Sequence, residues 1–172
     1  MTGLQPSACD LLDRRLISLA READERFAKL IPAQAEAVVL IEQTGYADRQ
    51  VSDRLQNIIH VAQNADPTAL LCKETYDNQE MDFLWSLPYR VVPLLIKLRG
   101  ETRPLPFVED IAVPPECLHE FLVKTQKVFQ KYWVTASLYA HAASGQVHFR
   151  PFMAIPSPEN GKKLEDLARD LY

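Results

Sequence analysis

Val134-Thr-Ala-Ser-Leu-Tyr-Ala-His-Ala-Ala-Ser-Gly-Gln-Val-His-Phe-Arg-Pro151 is the stretch of sequence from which the fold can be worked out. Polar and apolar residues alternate on both sides of Ser144-Gly145, and a period of two is typical of strands with one buried face. The Ser-Gly pair itself is typical of a tight turn. The sequence therefore predicts a β-hairpin with strands at 134–142 and 146–152.

The register of this hairpin decides which side chains meet. If residues 143–146 form a four-residue loop, His141 lies directly opposite His148, and Tyr139 lies opposite Arg150. Directly opposed residues share a face, with their Cβ atoms about 4.5–5.5 Å apart. The predicted polar face carries Thr135, Ser137, Tyr139, His141, His148 and Arg150. The predicted core face carries Val134, Ala136, Leu138, Ala140, Val147 and Phe149.

The polar face carries groups that can do chemistry. Two neighbouring imidazoles can bind a divalent metal together, or one can act as a general base while an arginine holds a carboxylate through two hydrogen bonds. This combination suits a 2-hydroxy acid. The alternative is that the face is a solvated or interface surface with no chemical role.

The first half of the chain predicts a helix followed by a strand-helix-strand unit. Apolar residues recur at helical spacing over residues 8–29, with Ser7 as a candidate N-cap. A β-rich run at 37–41 is followed by an apolar helical face over 51–62, and residues 69–73 can return as a second strand.

The second half predicts a second such unit that ends in the hairpin. Residues 78–100 have a helical pattern that Pro88 and Pro93 should break or kink, because proline lacks the amide donor. A strand at 107–113 ends at Pro114-Pro115, where a helix can begin. A last helix follows, with Ser157 or Asn160 as its N-cap.

Together these elements predict an α+β fold. The order α-βαβ-α-βαββ-α suggests a ferredoxin-like antiparallel sheet with helices packed on one face. No repeat or linker divides residues 1–172, so we expect a single domain.

Composition and charge exclude several classes of protein. The net charge is −4 and no basic stripe occurs, so the sequence does not favour nucleic-acid binding. No apolar run approaches the roughly 18 residues of a membrane span. The three cysteines are far apart and odd in number. The expected compartment is the cytoplasm, with peripheral attachment of a longer protein to a membrane left open.

The hairpin and the strand before it resemble a known family. Leu105-Pro-Phe-Val-Glu-Asp-Ile-Ala-Val-Pro-Pro-Glu116, a helix, and then His141-Ala-Ala-Ser-Gly-Gln-Val-His148 are similar to the C-terminal domain of FAD-linked oxidases. D-lactate dehydrogenases and the flavin subunit of glycolate oxidase belong to this family. Trp85 with Arg90 is similar to its tryptophan-arginine helix. The likeness is greatest to long fused proteins in which the flavoprotein unit continues into an iron-sulfur reductase part.

The resemblance implies roles for the hairpin residues. His141 and His148 match two histidines that lie over the flavin and bind a divalent metal such as zinc in several members. The family's third metal ligand, a glutamate, is expected beyond this chain. The family's loop reads Gly-Asp where this chain has Ala143-Ser144, and Asn where it has Gln146. Ser144 and Gln146 are then the candidates for contact with the cofactor.

Two further residues enter through the resemblance. Asp110 matches an acidic residue that the family places on the strand leading to the active site, so we expect it to face the substrate. The alternative is that Glu109 and Asp110 are both solvated charges at a strand end. Arg150 is the candidate clamp for the substrate carboxylate, and its alternative is a cation-π pair with Tyr139.

The function implied is oxidation of a D-2-hydroxy acid, lactate-like or glycolate-like, to the 2-oxo acid. A histidine removes the hydroxyl proton while the hydride on C2 passes to FAD. The five glycines form no phosphate-binding loop, so a preceding domain should hold the flavin, and an iron-sulfur cluster should lie elsewhere in the full-length protein. We therefore expect an excised domain that is inactive in isolation.

Two rival functions remain open at this point. In the first, the altered loop 143–146 has lost catalysis, and the domain serves only in the assembly of the larger flavin and iron-sulfur protein. In the second, the chain is a free-standing ferredoxin-like module that binds a ligand.

Overall fold

A computed structural model describes residues 6–65, 71–154 and 158–172. In chain order the elements are β1 (Ala8–Asp13), α1 (Arg14–Ala23), α2 (Glu25–Leu30), β2 (Ala37–Glu42), α3 (Asp48–Ala65), α4 (Asn78–Lys97), β3 (Arg103–Pro104), β4 (Val108–Ala112), a 3₁₀ turn (Pro115–Cys117), α5 (Leu118–Lys131), β5 (Ala136–His141), β6 (Gln146–Met153) and α6 (Pro158–Leu171).

The strands form an antiparallel sheet. Their order is β2-β1-β5-β6-β3, and β4 also pairs with β6. The predicted α+β class and antiparallel sheet are confirmed. The predicted strands at 37–41 and 107–113, the helix that follows Pro114-Pro115 and the hairpin are present as β2, β4, α5 and β5–β6.

The predicted helix over residues 8–29 is wrong at its start. Ala8–Asp13 is a strand that pairs on one side with β2 and on the other with β5. Asp13 then ends the strand and caps α1, because its Oδ1 accepts a hydrogen bond from the Leu16 amide at 3.0 Å. Ser7 does not cap a helix, since its hydroxyl lies 2.7 Å from the Thr44 hydroxyl.

The strand predicted at 69–73 is absent from residues 71–73, the part of it that the structure describes. Residues 66–70 lie outside the described part, and residues 71–77 have no regular secondary structure. The helix that precedes them is present as α3. The first half of the sheet is therefore the β1–β2 pair, with α1 and α2 in its connection.

The helix predicted over residues 78–100 is not broken, since α4 runs through both Pro88 and Pro93; the alternative of a kink at the prolines stays a prediction. A proline inside a helix costs about 3 kcal/mol. Leu87, Val91 and Leu95 recur every four residues along α4, and each is at most 2% exposed. Burying each such side chain contributes about 1.5–3 kcal/mol, which offsets the two prolines.

Two hydrophobic clusters lie on opposite faces of the sheet. The α1–α4 cluster consists of Leu12, Leu16, Ile17, Ala20, Phe27, Ile31, Ala35, Leu87, Val91 and Leu95. The α5–α6 cluster consists of Val108, Leu118, Phe129, Val134, Ala140, Val147, Phe149, Met153 and Leu167. Helices α5 and α6 pack on one face of the sheet, as expected for helices on one face, and α1 and α4 pack on the other, which the sequence did not predict. No helix in the described ranges is long and apolar enough to cross a bilayer.

The hairpin turn depends on Gly145, and Gly161 in α6 offers a matched comparison. Gly145 has a φ of +74°, and a Cβ there would lie 1.8 Å from the Val113 carbonyl oxygen, whereas a Cβ on Gly161 meets nothing within 4 Å. We expect Gly145→Ala to lower the free energy of unfolding by at least about 1–2 kcal/mol. Gly161→Ala should raise it by about 0.5–1 kcal/mol, because alanine favours a helix. Urea denaturation of both variants measures this, and equal effects would contradict the turn geometry.

Candidate active site

The polar face of the β5–β6 hairpin carries the predicted residues in a different register. His141 pairs with Gln146, Tyr139 with His148, and Ser137 with Arg150, so the predicted opposition of the two histidines is wrong. The loop closes one residue earlier because Gly145 supplies the positive φ, and its amide donates to the His141 carbonyl at 2.9 Å. The pairing moves by an even number of residues, so both faces keep the side chains that the alternation predicted.

The two imidazoles are diagonal neighbours with a phenol ring beside both. The ring centroids of His141 and His148 are 5.5 Å apart, and the planes are nearly perpendicular at 86°. The Tyr139 ring lies 4.9 Å from His141 and 5.8 Å from His148. The structure therefore brings together the histidines that the sequence singled out.

His141 binds a carboxylate that the sequence did not indicate. Its Nδ1 lies 2.9 Å from Asp10 Oδ1, and the Tyr139 hydroxyl donates to Asp10 Oδ2 at 2.5 Å. Asp10 is only 6% exposed. Burial, and then the hydrogen bond to Asp10, raise the pKa of Tyr139, so its hydroxyl remains a donor. Asp10 was missed because it lies in β1, which the sequence predicted as helix.

His148 binds a second carboxylate from a different strand. Its Nδ1 lies 2.6 Å from Glu109 Oε2, and Arg150 Nη2 lies 2.9 Å from Glu109 Oε1. The three side chains are between 19% and 24% exposed. Oε1 is buried and accepts no aligned hydrogen bond within the described residues, so the arginine contact is one of charge. Glu109 is therefore a partly buried and paired carboxylate, and the alternative of a solvated charge does not hold for it.

The other predicted residues lie near this face. Asp110 is in β4, next to an irregularity in its pairing with β6, but its side chain is outside the described part of the structure. Its predicted role stays a prediction. Ser144 is exposed at the hairpin tip and donates to the His141 carbonyl at 3.1 Å, and Gln146 lies opposite His141. Arg90, the arginine of the predicted tryptophan-arginine helix, donates from its Nη1 to Asp24 Oδ2 at 2.7 Å.

A cavity of about 230 Å³ adjoins the pair formed by Glu109 and His148. Its lining residues are Leu16, Val92, Leu95, Glu109, Ser137, Tyr139, His148 and Arg150. The sheet supplies the polar groups, and α1 and α4 supply the apolar wall. His141 lies outside this lining, with 40% of its side chain exposed. His148 and Arg150 are therefore the groups placed to meet a molecule in the cavity.

The chemistry of both histidines is set by their carboxylates. Because Nδ1 of each ring contacts a carboxylate, Nε2 is the nitrogen left to accept a proton or bind a metal. The described residues contain no group of three potential ligands that could hold a metal ion.

Comparison with known proteins places this geometry in context. A family model described as FAD linked oxidases, C-terminal domain, matches residues 1–172. The chain is similar to a D-2-hydroxyglutarate dehydrogenase of Pantoea ananatis, at 23% identity over 99% of the chain and 18% of that protein. A D-2-hydroxyglutarate dehydrogenase of Pseudomonas putida is 27% identical over 90% of the chain and 16% of its own length. The chain thus spans less than a fifth of these relatives.

The contacts of Glu109 predict a cost for removing its charge. Glu109→Gln should lower the free energy of unfolding by about 1–3 kcal/mol, because Arg150 loses its partly buried counter-charge. Chemical denaturation at neutral pH measures this. The matched control is Glu120→Gln, which removes an exposed contact with Lys124 and should leave stability almost unchanged. A loss no larger than that of the control would contradict the assigned contact.

Proposed function

Because the chain belongs to the family of FAD linked oxidases, C-terminal domain, we propose that it is the substrate-side domain of a flavoenzyme that oxidises a D-2-hydroxy acid to the 2-oxo acid. The observation that carries this proposal is the group of His148, Glu109 and Arg150 at the edge of one cavity. The names of the similar proteins, D-2-hydroxyglutarate dehydrogenases, support the substrate class.

His148 is the proposed general base. Glu109 holds its Nδ1, so Nε2 accepts the proton of the substrate hydroxyl, and the carboxylate stabilises the imidazolium that forms. Leu16, Val92 and Leu95 form an apolar wall beside the site of this transfer. A base in this position needs a second group to orient the substrate.

Arg150 is the proposed clamp for the substrate carboxylate. Its guanidinium lines the same cavity as His148 and has five N–H donors, more than its contact with Glu109 uses. A planar fork of donors suits a carboxylate, and binding there would place C2 and its hydroxyl beside His148. Asp110 remains a proposed substrate-facing residue on the neighbouring strand.

The flavin fits at the edge of this face. When bound, FAD would supply the acceptor for the hydride that leaves C2. The exposed hairpin tip offers the Ser144 hydroxyl and the Gln146 amide as polar contacts beside His141. The described loops provide no glycine-rich phosphate cradle, so we propose that the flavin-binding domain of the full-length protein holds most of the cofactor.

A divalent metal such as zinc fits in part. His141 and His148 each have a carboxylate on Nδ1, an arrangement common for histidine ligands of metals, but Nε2 of His148 cannot hold a metal while it serves as the general base. A catalytic zinc usually takes three protein ligands, so the third would come from outside the described residues. The iron-sulfur cluster that is also proposed would lie elsewhere in the full-length protein.

The proposal predicts the effect of removing His148 in the full-length protein. His148→Ala should lower kcat/KM for D-2-hydroxyglutarate or D-lactate by about 10²–10⁴-fold, because the general base is lost. Steady-state reduction of an artificial electron acceptor measures this. His119→Ala is the control, since His119 is exposed on α5 and should leave the rate unchanged.

The same experiment separates the rival functions. Near-normal turnover of the His148→Ala variant would remove His148 from the mechanism. No turnover of any D-2-hydroxy acid by the wild-type protein, with flavin bound, would favour a domain that serves only in assembly.

A further inference from the structure

We propose that Asp10 is the positioning residue of His141: it fixes the imidazole with its proton on Nδ1 and keeps the Nε2 lone pair available to the site. What is proposed is which nitrogen of the His141 ring carries the proton. Only the role of the Nε2 lone pair in the reaction rests on the proposed function.

The backbone already places the two residues together. Asp10 of β1 lies directly opposite His141 of β5 in the antiparallel pairing, although 131 positions separate them in the sequence. Opposed residues share a face and have their Cβ atoms about 4.5–5.5 Å apart. The carboxylate therefore reaches the ring without distorting either strand.

The proposed tautomer follows from the Asp10–His141 contact when the carboxylate is ionised. Asp10 Oδ1 lies 2.9 Å from His141 Nδ1. An ionised carboxylate has only acceptor sites, so the ring nitrogen must be the donor. A neutral imidazole carries one proton, and with that proton on Nδ1 the Nε2 atom is an acceptor. The hydrogen bond to a charged group is also stronger than one between neutral groups.

A second donor holds the carboxylate in place. The Tyr139 hydroxyl donates to Oδ2, so the two oxygens of Asp10 are engaged by two different side chains. Asp10 is 6% exposed, so water has little access to the carboxylate itself. The Tyr139 ring also meets the His141 ring edge-on at 4.9 Å and limits its rotation. His141 is thus fixed in orientation as well as in tautomer.

The chain builds this arrangement twice from different strands. Glu109 of β4 engages Nδ1 of His148 as Asp10 of β1 engages Nδ1 of His141. Two carboxylates from two strands impose the same tautomer on two rings whose centroids are 5.5 Å apart. This repetition provides an internal control, because each carboxylate should affect its own histidine.

Long-range ¹H–¹⁵N NMR on the ¹⁵N-histidine-labelled chain tests the inference. Spectra are recorded with a chelator present over a series of increasing pH values, up to the point where the ring ¹⁵N shifts no longer change, so that neutral rings are compared. His141 and His148 should both carry the proton on Nδ1 in the wild type. In Asp10→Ala, His141 should shift to the tautomer mixture of the exposed His119, while His148 stays unchanged. Glu109→Ala should do the reverse.

Two results would overturn the inference. One is a wild-type His141 with its proton on Nε2, and the other is an Asp10→Ala spectrum in which His141 is unchanged. If Asp10→Ala does not fold, Asp10→Val replaces it, because a β-branched residue suits a strand. Tyr139→Phe leaves the Oδ1 contact in place and should keep the tautomer, so loss of the Nδ1 proton there would assign the effect to Tyr139 instead.

Turnover separates this inference from the proposed function. In the full-length protein, Asp10→Ala should lower kcat by about 10–100-fold, the usual effect of removing a carboxylate behind a functional histidine. A tautomer shift with unchanged kcat would support Asp10 as the positioning residue and overturn the proposed use of the His141 Nε2 atom as a metal ligand. An unchanged tautomer would overturn the inference whatever the rate.

Discussion

The pairing of β1 with β5 is the interaction on which the rest of this structure depends. It joins the β1–β2 half of the sheet to the β5–β6 hairpin, and alternation along β1 sends Leu12 to the α1–α4 cluster and Leu11 to the α5–α6 cluster. The same pairing sets Asp10 opposite His141. One strand thus connects the two hydrophobic clusters and supplies a carboxylate to the site.

The cost of burying unpaired charge explains the ion pairs of the site. Each basic group on the polar face of the hairpin has an acidic partner from a neighbouring strand: Asp10 for His141, and Glu109 for both His148 and Arg150. Burying one unpaired charge there would cost several kcal/mol, roughly the whole margin of a marginally stable domain. The carboxylates that make the face stable are therefore the groups that orient its imidazoles.

The sequence predicted the parts of this arrangement that depend on local alternation. The hairpin, its two faces and the placement of His141, His148 and Arg150 on one of them follow from a period of two. The register did not, because it depends on which loop residue adopts a positive φ, and that residue is Gly145. Asp10 and Glu109 could not be assigned, because their partners lie 131 and 39 positions away in the chain.

Strand β1 shows why apolar spacing alone was insufficient. Leu11, Leu12 and Leu16 fit one face of a helix, and they also fit a strand that passes into a helix at Asp13. A local signal was present in Asp13, which is a good N-cap residue, but choosing between the two readings needed the neighbouring strands. Likewise, the burial of apolar side chains along α4 outweighs the cost of its two prolines. That comparison depends on tertiary packing, which the sequence pattern does not give.

The distance along the chain between Asp10 and His141 also has a consequence for biosynthesis. Loops of this length close slowly, and contacts between residues far apart in sequence form late in folding. Because Asp10 and His141 are 131 positions apart, the segment between them must be synthesised before the carboxylate can contact the imidazole. The paired carboxylate and imidazole are then absent from any nascent chain in which strand β5 has not yet been synthesised.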